Sequence, residues 1–151
     1  MSRRTRAREV VLKCLYAYES LGGDSDEVFE RTCGKSALAE DGRDFAKDLY
    51  VKIISKGKQI DKEIVKRTEN WDFERFAVVD KNILRMAVCE LFFFPDIPAR
   101  ASINEAIELA KKYSTMESAS FVNGILDAVF HANVKQLMDG GKLAPKSTDE
   151  V

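Results

Sequence analysis

Apolar residues recur at helical spacing along most of the chain, and no useful length of it alternates in the manner of a β-strand. The first such segment predicts a helix from about residue 4 to residue 20, which the glycine pair at 22 and 23 ends. At about 100° per residue its core-facing stripe is formed by Ala7, Val11, Cys14 and Tyr18. The polar segment from 24 to 42 predicts a short helix and loops.

A longer helix is predicted from about residue 44 to residue 67. Gly57 lies inside it and lowers local helix propensity by about 1 kcal/mol relative to alanine, so we expect a neighbouring helix to approach closely there. The row that marks the helix is mostly apolar and consists of Phe45, Leu49, Ile53, Lys56 and Ile60.

The second half of the chain predicts an aromatic turn followed by three helices. The turn, residues 70–76, holds Trp71, Phe73 and Phe76, which we interpret as core between long helices. A central, mostly buried helix is expected at about 79–93, and Pro95 and Pro98 separate it from a helix at about 99–113.

Ser114 and Glu117 have the spacing of a capping box for the last helix, which we expect to continue towards Val134 or Met138. The glycine pair at 140 and 141 would end it. The fold class is therefore all-α, a bundle of about six or seven helices. We expect one domain over residues 1–139 and a disordered tail over residues 140–151.

Composition narrows the function classes. With 151 residues, 45% apolar and 32% charged, the chain is typical of one globular domain, and we expect it to be cytoplasmic because no signal peptide or membrane span is visible. Three cysteines without paired spacing and one histidine, His131, argue against a disulfide framework or a metal site. Glycine-rich phosphate loops and catalytic triads are also missing from the sequence, so we expect no enzyme.

Charge is unevenly distributed although the net charge is only −1. Residues 1–13 carry five basic side chains against Glu9 alone, a side-chain charge of +4. This basic start predicts a local anion site and not a general coat for nucleic acid. Arg4, Arg8, Leu12 and Tyr16 form a helical row beside the core stripe, and we expect the ring of Tyr16 to be at least partly exposed.

Guanidinium groups beside an accessible ring suit single-stranded RNA, because they offer charge for phosphates and a flat face for bases. The alternative is a solvated N-terminal extension with a surface tyrosine. A second candidate site is the turn from Ser114 to Ser118, flanked by Tyr113 and Phe121. Its hydroxyls and the N-terminus of the last helix could bind phosphates or bases, whereas Phe121 could equally be a core residue.

The chain resembles the NusB family of transcription antitermination factors over roughly residues 3–131. The resemblance rests on several segments in the order of that family. These are Arg8-Glu9, Leu15-Tyr16, Val79 to Leu91, Asp96-Ile97-Pro98, Ile103 to Tyr113 and Phe121 to Asp127.

The resemblance implies an all-helical fold of two packed subdomains that binds the single-stranded boxA element of nascent ribosomal RNA transcripts. The implied partners are NusE, a small-subunit ribosomal protein, and the elongating RNA polymerase, with no cofactor and no metal. Carried over to this chain, the RNA surface falls on Arg4, Arg6, Arg8, Tyr16, Tyr113, Ser114, Glu117, Ser118 and Phe121, and the NusE contact falls on Asp80. The alternative is a helical protein-interaction module without direct RNA binding, including a homodimer that hides its RNA surface.

Overall fold

The computed structural model describes residues 2–68 and 72–133, which form seven α-helices, one short 3₁₀ turn and no strand. The prediction of an all-α fold with six or seven helices is confirmed. The helices are α1 (Arg3–Leu21), α2 (Ser25–Gly34), α3 (Glu40–Ser55), α4 (Gly57–Val65), α5 (Val78–Phe93), α6 (Ala99–Tyr113) and α7 (Met116–Ala132), and the 3₁₀ turn is Phe73–Arg75. The chain divides into two compact units, Met1–Ser55 and Lys56–Val151.

In the first unit, α1 packs against α2 and α3. The predicted stripe is confirmed at Ala7, Val11 and Cys14, which are fully buried. Leu12 is buried as well, so the apolar face of α1 is wider than the stripe that the spacing predicts. Burial of a large apolar side chain stabilises a fold by about 1.5–3 kcal/mol, so this wide face holds the unit together.

The predicted helix over residues 44–67 is wrong, because the structure has two helices there. α3 ends at Ser55, and Lys56 has φ −108° and ψ 18°, outside helical geometry. Gly57 opens α4, and a Cβ added to it would meet no atom within 4 Å. The expected close approach is therefore wrong too; glycine is tolerated because it stands at a helix start and not in a helix interior.

In the second unit, α5 is the central helix, as predicted. It packs against α4, α6 and α7, and twelve of its sixteen residues are buried. Glu90 on α5 accepts a 2.6 Å hydrogen bond from Ser102 Oγ on α6, which joins two buried polar groups. Phe73 is buried, so the predicted aromatic core is confirmed for this residue. Phe76 meets it edge to face at 5.3 Å but is only half-buried, and Trp71 lies outside the described residues.

The start of α7 corrects the predicted capping box. Thr115 is the N-cap, and its Oγ1 accepts a 2.9 Å hydrogen bond from the backbone N–H of Ser118. Ser114 instead ends α6, where its N–H donates to Ala110 O at 2.8 Å. The predicted extension of α7 to Val134 or Met138, the limit at residue 139 and the tail lie outside the described residues.

Of the helices in the described ranges, none combines the length and the low polarity that crossing a lipid bilayer requires.

Candidate nucleic-acid interface

The first turns of α1 present three exposed arginines, Arg3, Arg4 and Arg6. The guanidinium of Arg4 lies 4.6 Å from the centroid of the Phe45 ring on α3. Arg6 helps to line a small cleft of about 190 Å³, together with Arg3 and the segment 37–39 before α3. The cleft and the exposed guanidinium groups give the N-terminal end of α1 a concentrated positive charge.

Arg3 forms an ion pair with Asp41, at 2.8 Å between Nη1 and Oδ2. Its hydrogen bond holds the pKa of the Asp41 carboxyl below its usual value, since the bond favours the charged form. Both side chains are exposed, so the pair contributes little to stability, but it fixes Arg3 beside Arg6.

Arg8 departs from the prediction, because it is only 5% exposed. Its guanidinium lies 5.4 Å from the centroid of the Phe45 ring. The predicted row of Arg4, Arg8, Leu12 and Tyr16 is therefore not a continuous exposed surface, because Leu12 is buried as well. The aliphatic stem of Arg8 packs within the wide apolar face of α1. The buried position of Arg8 therefore gives no support to a phosphate contact.

Tyr16 is 48% exposed, which confirms that its ring is partly accessible. It lies on α1, which begins with the exposed arginines, so charge and an aromatic face occur on one helix of the first unit. A half-exposed tyrosine ring can stack on an unpaired base without a change in the helix that holds it.

The predicted turn between α6 and α7 is a hydrogen-bonded unit. Ser114 Oγ donates to Ser118 Oγ at 3.0 Å, and Ser118 Oγ donates to Asp80 Oδ2 at 2.9 Å. Tyr113, Ser114 and Ser118 are half-buried, and Glu117 is exposed. The turn is thus tied to the first turn of α5 through a chain of side-chain oxygens.

Asp80, the predicted partner contact, is only 7% exposed. One carboxylate oxygen is taken by Ser118, and the other, Oδ1, is buried without a hydrogen-bond partner among the described residues. The structure thereby joins Asp80 to the turn, a link that spans 38 positions and that the sequence does not reveal. Its contact with a partner protein stays a prediction.

Phe121 is half-buried, so its ring is partly packed and partly accessible, and its role in RNA binding stays a prediction. Its ring meets the Phe76 ring edge to face, with centroids 4.8 Å apart. The two rings border a groove of about 720 Å³, which we call the Phe121 groove. Its lining includes Arg67, Phe76, Glu117, Ser120, Phe121 and Gly124.

The structure thus brings the predicted residues together in two places. Arg4, Arg6 and Tyr16 lie on α1 of the first unit, and the residues from Tyr113 to Phe121 lie with Asp80 in the second. Sequence reasoning missed the groove residues Arg67, Phe76 and Gly124. For Phe76 a signal existed in the aromatic cluster, whereas a lone arginine after α4 and a helical glycine carry none.

In the described part of the chain, no group of three or more histidine, cysteine or acidic side chains could hold a metal ion. All three cysteines are buried and none forms a disulfide bond. Burial raises the pKa of the Cys14 thiol to about 12, so this thiol is protonated and unreactive at neutral pH.

Comparisons with known proteins agree on one family. The sequence profile of the NusB family matches residues 5–131. A relative from Salinibacter ruber, named transcription antitermination protein NusB, is 41% identical over 145 residues, or 95% of this chain and 88% of its own. A relative of the same name from Trichlorobacter lovleyi is 45% identical over 127 residues, or 84% of this chain and 89% of its own.

Solved structures give the same answer. The structure of T. maritima NusB is 35% identical, has a TM-score of 0.83, and matches 92% of this chain and 98% of its own. A crystal structure of the antitermination factors NusB and NusE in complex with dsRNA is 28% identical, has a TM-score of 0.80, and matches 87% of this chain and 98% of its own.

Proposed function

The chain belongs to the NusB family of transcription antitermination proteins, and on this premise we propose that it binds the single-stranded boxA element of nascent RNA together with NusE. The relatives are named for a role in transcription and not for a catalysed reaction, so the role is non-enzymatic. The observation that carries the proposal is the likeness to a protein whose structure was solved with NusE and RNA.

The N-terminal end of α1 supplies the phosphate contacts in this proposal. Arg4 and Arg6 are exposed and lie where the chain is most basic, and Tyr16 offers an accessible ring on the same helix. A near-neutral protein gains RNA affinity from such a local cluster, since each neutralised phosphate releases counterions. Arg8 is assigned a supporting role beside the Phe45 ring.

The turn between α6 and α7 supplies contacts to bases. Its hydroxyls, the backbone N–H groups of Met116 and Glu117 in the first turn of α7 and the ring of Phe121 are suited to unstacked nucleotides. Glu117 repels phosphate but can accept hydrogen bonds from base amino groups, so it favours bases over backbone at the turn. We assign Tyr113, Ser114, Glu117, Ser118 and Phe121 to this RNA surface.

NusE and the RNA polymerase elongation complex are the proposed protein partners. A basic ribosomal protein would be attracted to the region around Asp80 at the start of α5. Binding of RNA and NusE together would let the complex modify the polymerase so that it reads through terminators. These steps occur on nascent transcripts, so we propose a cytoplasmic protein whose functional domain is residues 1–139.

The proposal is tested by fluorescence anisotropy of a labelled boxA-type single strand, titrated with the protein alone and with NusE present. We expect tighter binding with NusE and a clear preference over a scrambled strand at the same salt concentration. Because the related complex contains double-stranded RNA, an unlabelled duplex of the boxA sequence is added as a competitor.

Weak binding that depends neither on the RNA sequence nor on the presence of NusE would overturn the proposal. It would favour the alternative, a helical protein-interaction module without direct RNA binding. Preferential displacement of the labelled strand by the duplex would overturn single-stranded recognition alone, since A-form helices are recognised by shape and backbone.

A further inference from the structure

A second basic segment of the chain lies at α4. Residues 56–67 carry five basic side chains against two acidic ones, a side-chain charge of +3 in a chain whose net charge is −1. Lys58, Lys62 and Lys66 are spaced four residues apart and are all exposed. Lys66 follows the last residue of α4 and keeps helical geometry, with φ −58° and ψ −25°. We call these three residues the α4 lysine row.

The α4 lysine row faces away from the core of the second unit. Ile60 and Ile64 form the buried face of α4, which packs against α5 and α7. At 100° per residue, Lys62 in the middle of the row lies about 180° from the midpoint of these two isoleucines. Four residues advance a helix by about 6 Å, so the three ammonium groups follow one another along the outer side of α4.

Both acidic residues of α4 are held by partners within the second unit. The Asp61 carboxylate accepts two hydrogen bonds from the Arg85 guanidinium, at 2.8 and 3.0 Å. Glu63 is only 5% exposed and accepts from Asn133 Nδ2 at 3.0 Å and from Arg67 Nη2 at 3.4 Å. These carboxylates are therefore largely neutralised by groups other than the lysine row.

The charges of the row remain available to a ligand. Lys58 and Lys62 form no ion pair with any residue that the structure describes. Lys66 lies 3.5 Å from Glu63, but its side chain is 54% exposed and can turn outward. Three like charges on one face repel one another, so an anion that bridges them relieves this repulsion.

We propose that the α4 lysine row binds phosphates of the RNA nucleotides that flank boxA, an inference that rests on the RNA-binding function proposed above. Phosphates of an extended single strand recur at a distance similar to the spacing of the row. Lysine is a flexible point charge that binds phosphate without reading the base, which suits flanking sequence. Lysine is also depleted in protein–protein interfaces, so the row favours RNA over an acidic protein as its partner.

The row adjoins the turn that we assign to RNA. Arg67 directly follows Lys66 and lines the Phe121 groove together with Ser118 and Phe121. All of these residues belong to the second unit. A strand that leaves the turn therefore passes Arg67 and reaches the row without a long detour of its backbone.

The test compares the salt dependence of binding for three labelled strands: boxA alone, and boxA with a short uridine extension at its 5′ or its 3′ end. With the wild type, we expect one of the extensions to steepen the dependence of log affinity on log salt. Lys58→Gln/Lys62→Gln should flatten the slope for that strand by about 1.4, or about 0.7 for each lost phosphate contact. Between 50 and 200 mM salt this is about a sevenfold difference in the loss of affinity. Binding of boxA alone should be unchanged.

Three controls accompany the double variant. Glutamine and lysine have similar helix propensities and both positions are exposed, so thermal melts should show an unchanged melting temperature. Arg31→Gln/Lys35→Gln removes two exposed charges four residues apart at the end of α2, and should keep the wild-type slope. An extension joined by uncharged methylphosphonate linkages should bind the wild type without the steeper slope.

The outcomes separate the inference from the proposed function. If boxA is preferred over a scrambled strand but neither extension steepens the slope, the inference is wrong and the function stands. Equal flattening by the α2 control variant would also overturn the inference, because net charge alone would then explain the effect. If Lys58→Gln/Lys62→Gln weakens binding of NusE without RNA and leaves every RNA slope unchanged, the row is a protein site. If the wild type does not prefer boxA at all, both fail.

Discussion

At the scale of single residues, Arg6 and Arg8 lie two positions apart on α1, but their guanidinium groups have different surroundings. Arg6 is exposed beside the small cleft at the start of α1, whereas Arg8 is buried with its guanidinium over the Phe45 ring. A guanidinium can neutralise a phosphate only where it reaches one. A buried guanidinium instead stabilises the protein through its stem and its contact with the ring.

We therefore expect substitutions of Arg6 and of Arg8 to have different effects on the salt dependence of RNA binding. Arg6→Ala should flatten the dependence of log affinity on log salt by about 0.7, the slope for one phosphate of a single strand. Arg8→Ala should leave the slope unchanged and lower the free energy of unfolding by about 1 kcal/mol, because a cation–π contact is lost. Urea denaturation measures the second effect, with Arg6→Ala as its control. A flattened slope for Arg8→Ala would show that this side chain turns outward to contact RNA.

At the scale of elements, the start of α7 is joined to the start of α5. Thr115 caps α7 locally, and Ser118 extends the connection to Asp80 through a 2.9 Å hydrogen bond. Asp80 lies in the first turn of α5, where the positive end of the helix dipole favours a carboxylate. The predicted RNA turn and the predicted partner contact are therefore parts of one hydrogen-bonded unit.

Two substitutions distinguish positioning of the turn from contact with a partner. Ser118→Ala removes a donor from a buried carboxylate, so we expect the free energy of unfolding to fall by about 1–3 kcal/mol and RNA affinity to fall with it. Asp80→Asn keeps an oxygen acceptor for Ser118 and removes only the charge, so we expect RNA affinity to be retained and NusE affinity to fall.

Isothermal titration calorimetry measures the affinity of each variant for RNA and, separately, for NusE. Thermal melts measure the stability of each variant. Equal losses of RNA affinity in both variants would contradict this division, because they would mean that the charge of Asp80 and not its hydrogen bond supports the turn. Thr115→Ala serves as the control for a purely local loss of the cap, which costs about 1 kcal/mol of helix stability.

At the scale of the whole molecule, apolar exposure argues against an obligate dimer. The large apolar side chains exposed in the described ranges are few and are spread over four helices: Tyr16 and Leu21 on α1, Val51 on α3, Val65 on α4 and Met116 on α7. Permanent homodimers bury about 2,000 Å² or more of largely apolar surface. Single exposed apolar residues are ordinary on a monomer.

We therefore expect sedimentation velocity to give a monomer at micromolar concentration, and a complex of one protein with one RNA strand after boxA RNA is added. A homodimer that hides its RNA surface would instead persist on dilution, and added RNA or NusE would dissociate it. A scrambled strand at the same salt concentration controls for dissociation by polyanions in general.

Much of the fold follows from local signals that a single sequence contains. The bounds of α1 and α6 were predictable because Gly22 adopts φ 73° and Pro98 precedes a helix start, and both effects act within a few residues. The partial exposure of Tyr16 followed from helical spacing alone. The same holds for the burial of α5, since its residues are apolar on most sides.

The tertiary structure decided what depends on residues far apart in the chain. Arg8 is buried because Phe45 lies on another helix, and Asp80 is buried because Ser118 reaches it across 38 positions. The Phe121 groove exists because α7 brings Gly124 and Phe121 beside Arg67 and Phe76. The spacing of apolar residues predicts which face of each helix is buried. Which side chains come into contact depends on how the helices pack. The sequence by itself therefore determined the all-α fold class and the residue types suited to RNA. Helix packing decided which of those residues lie together in a site.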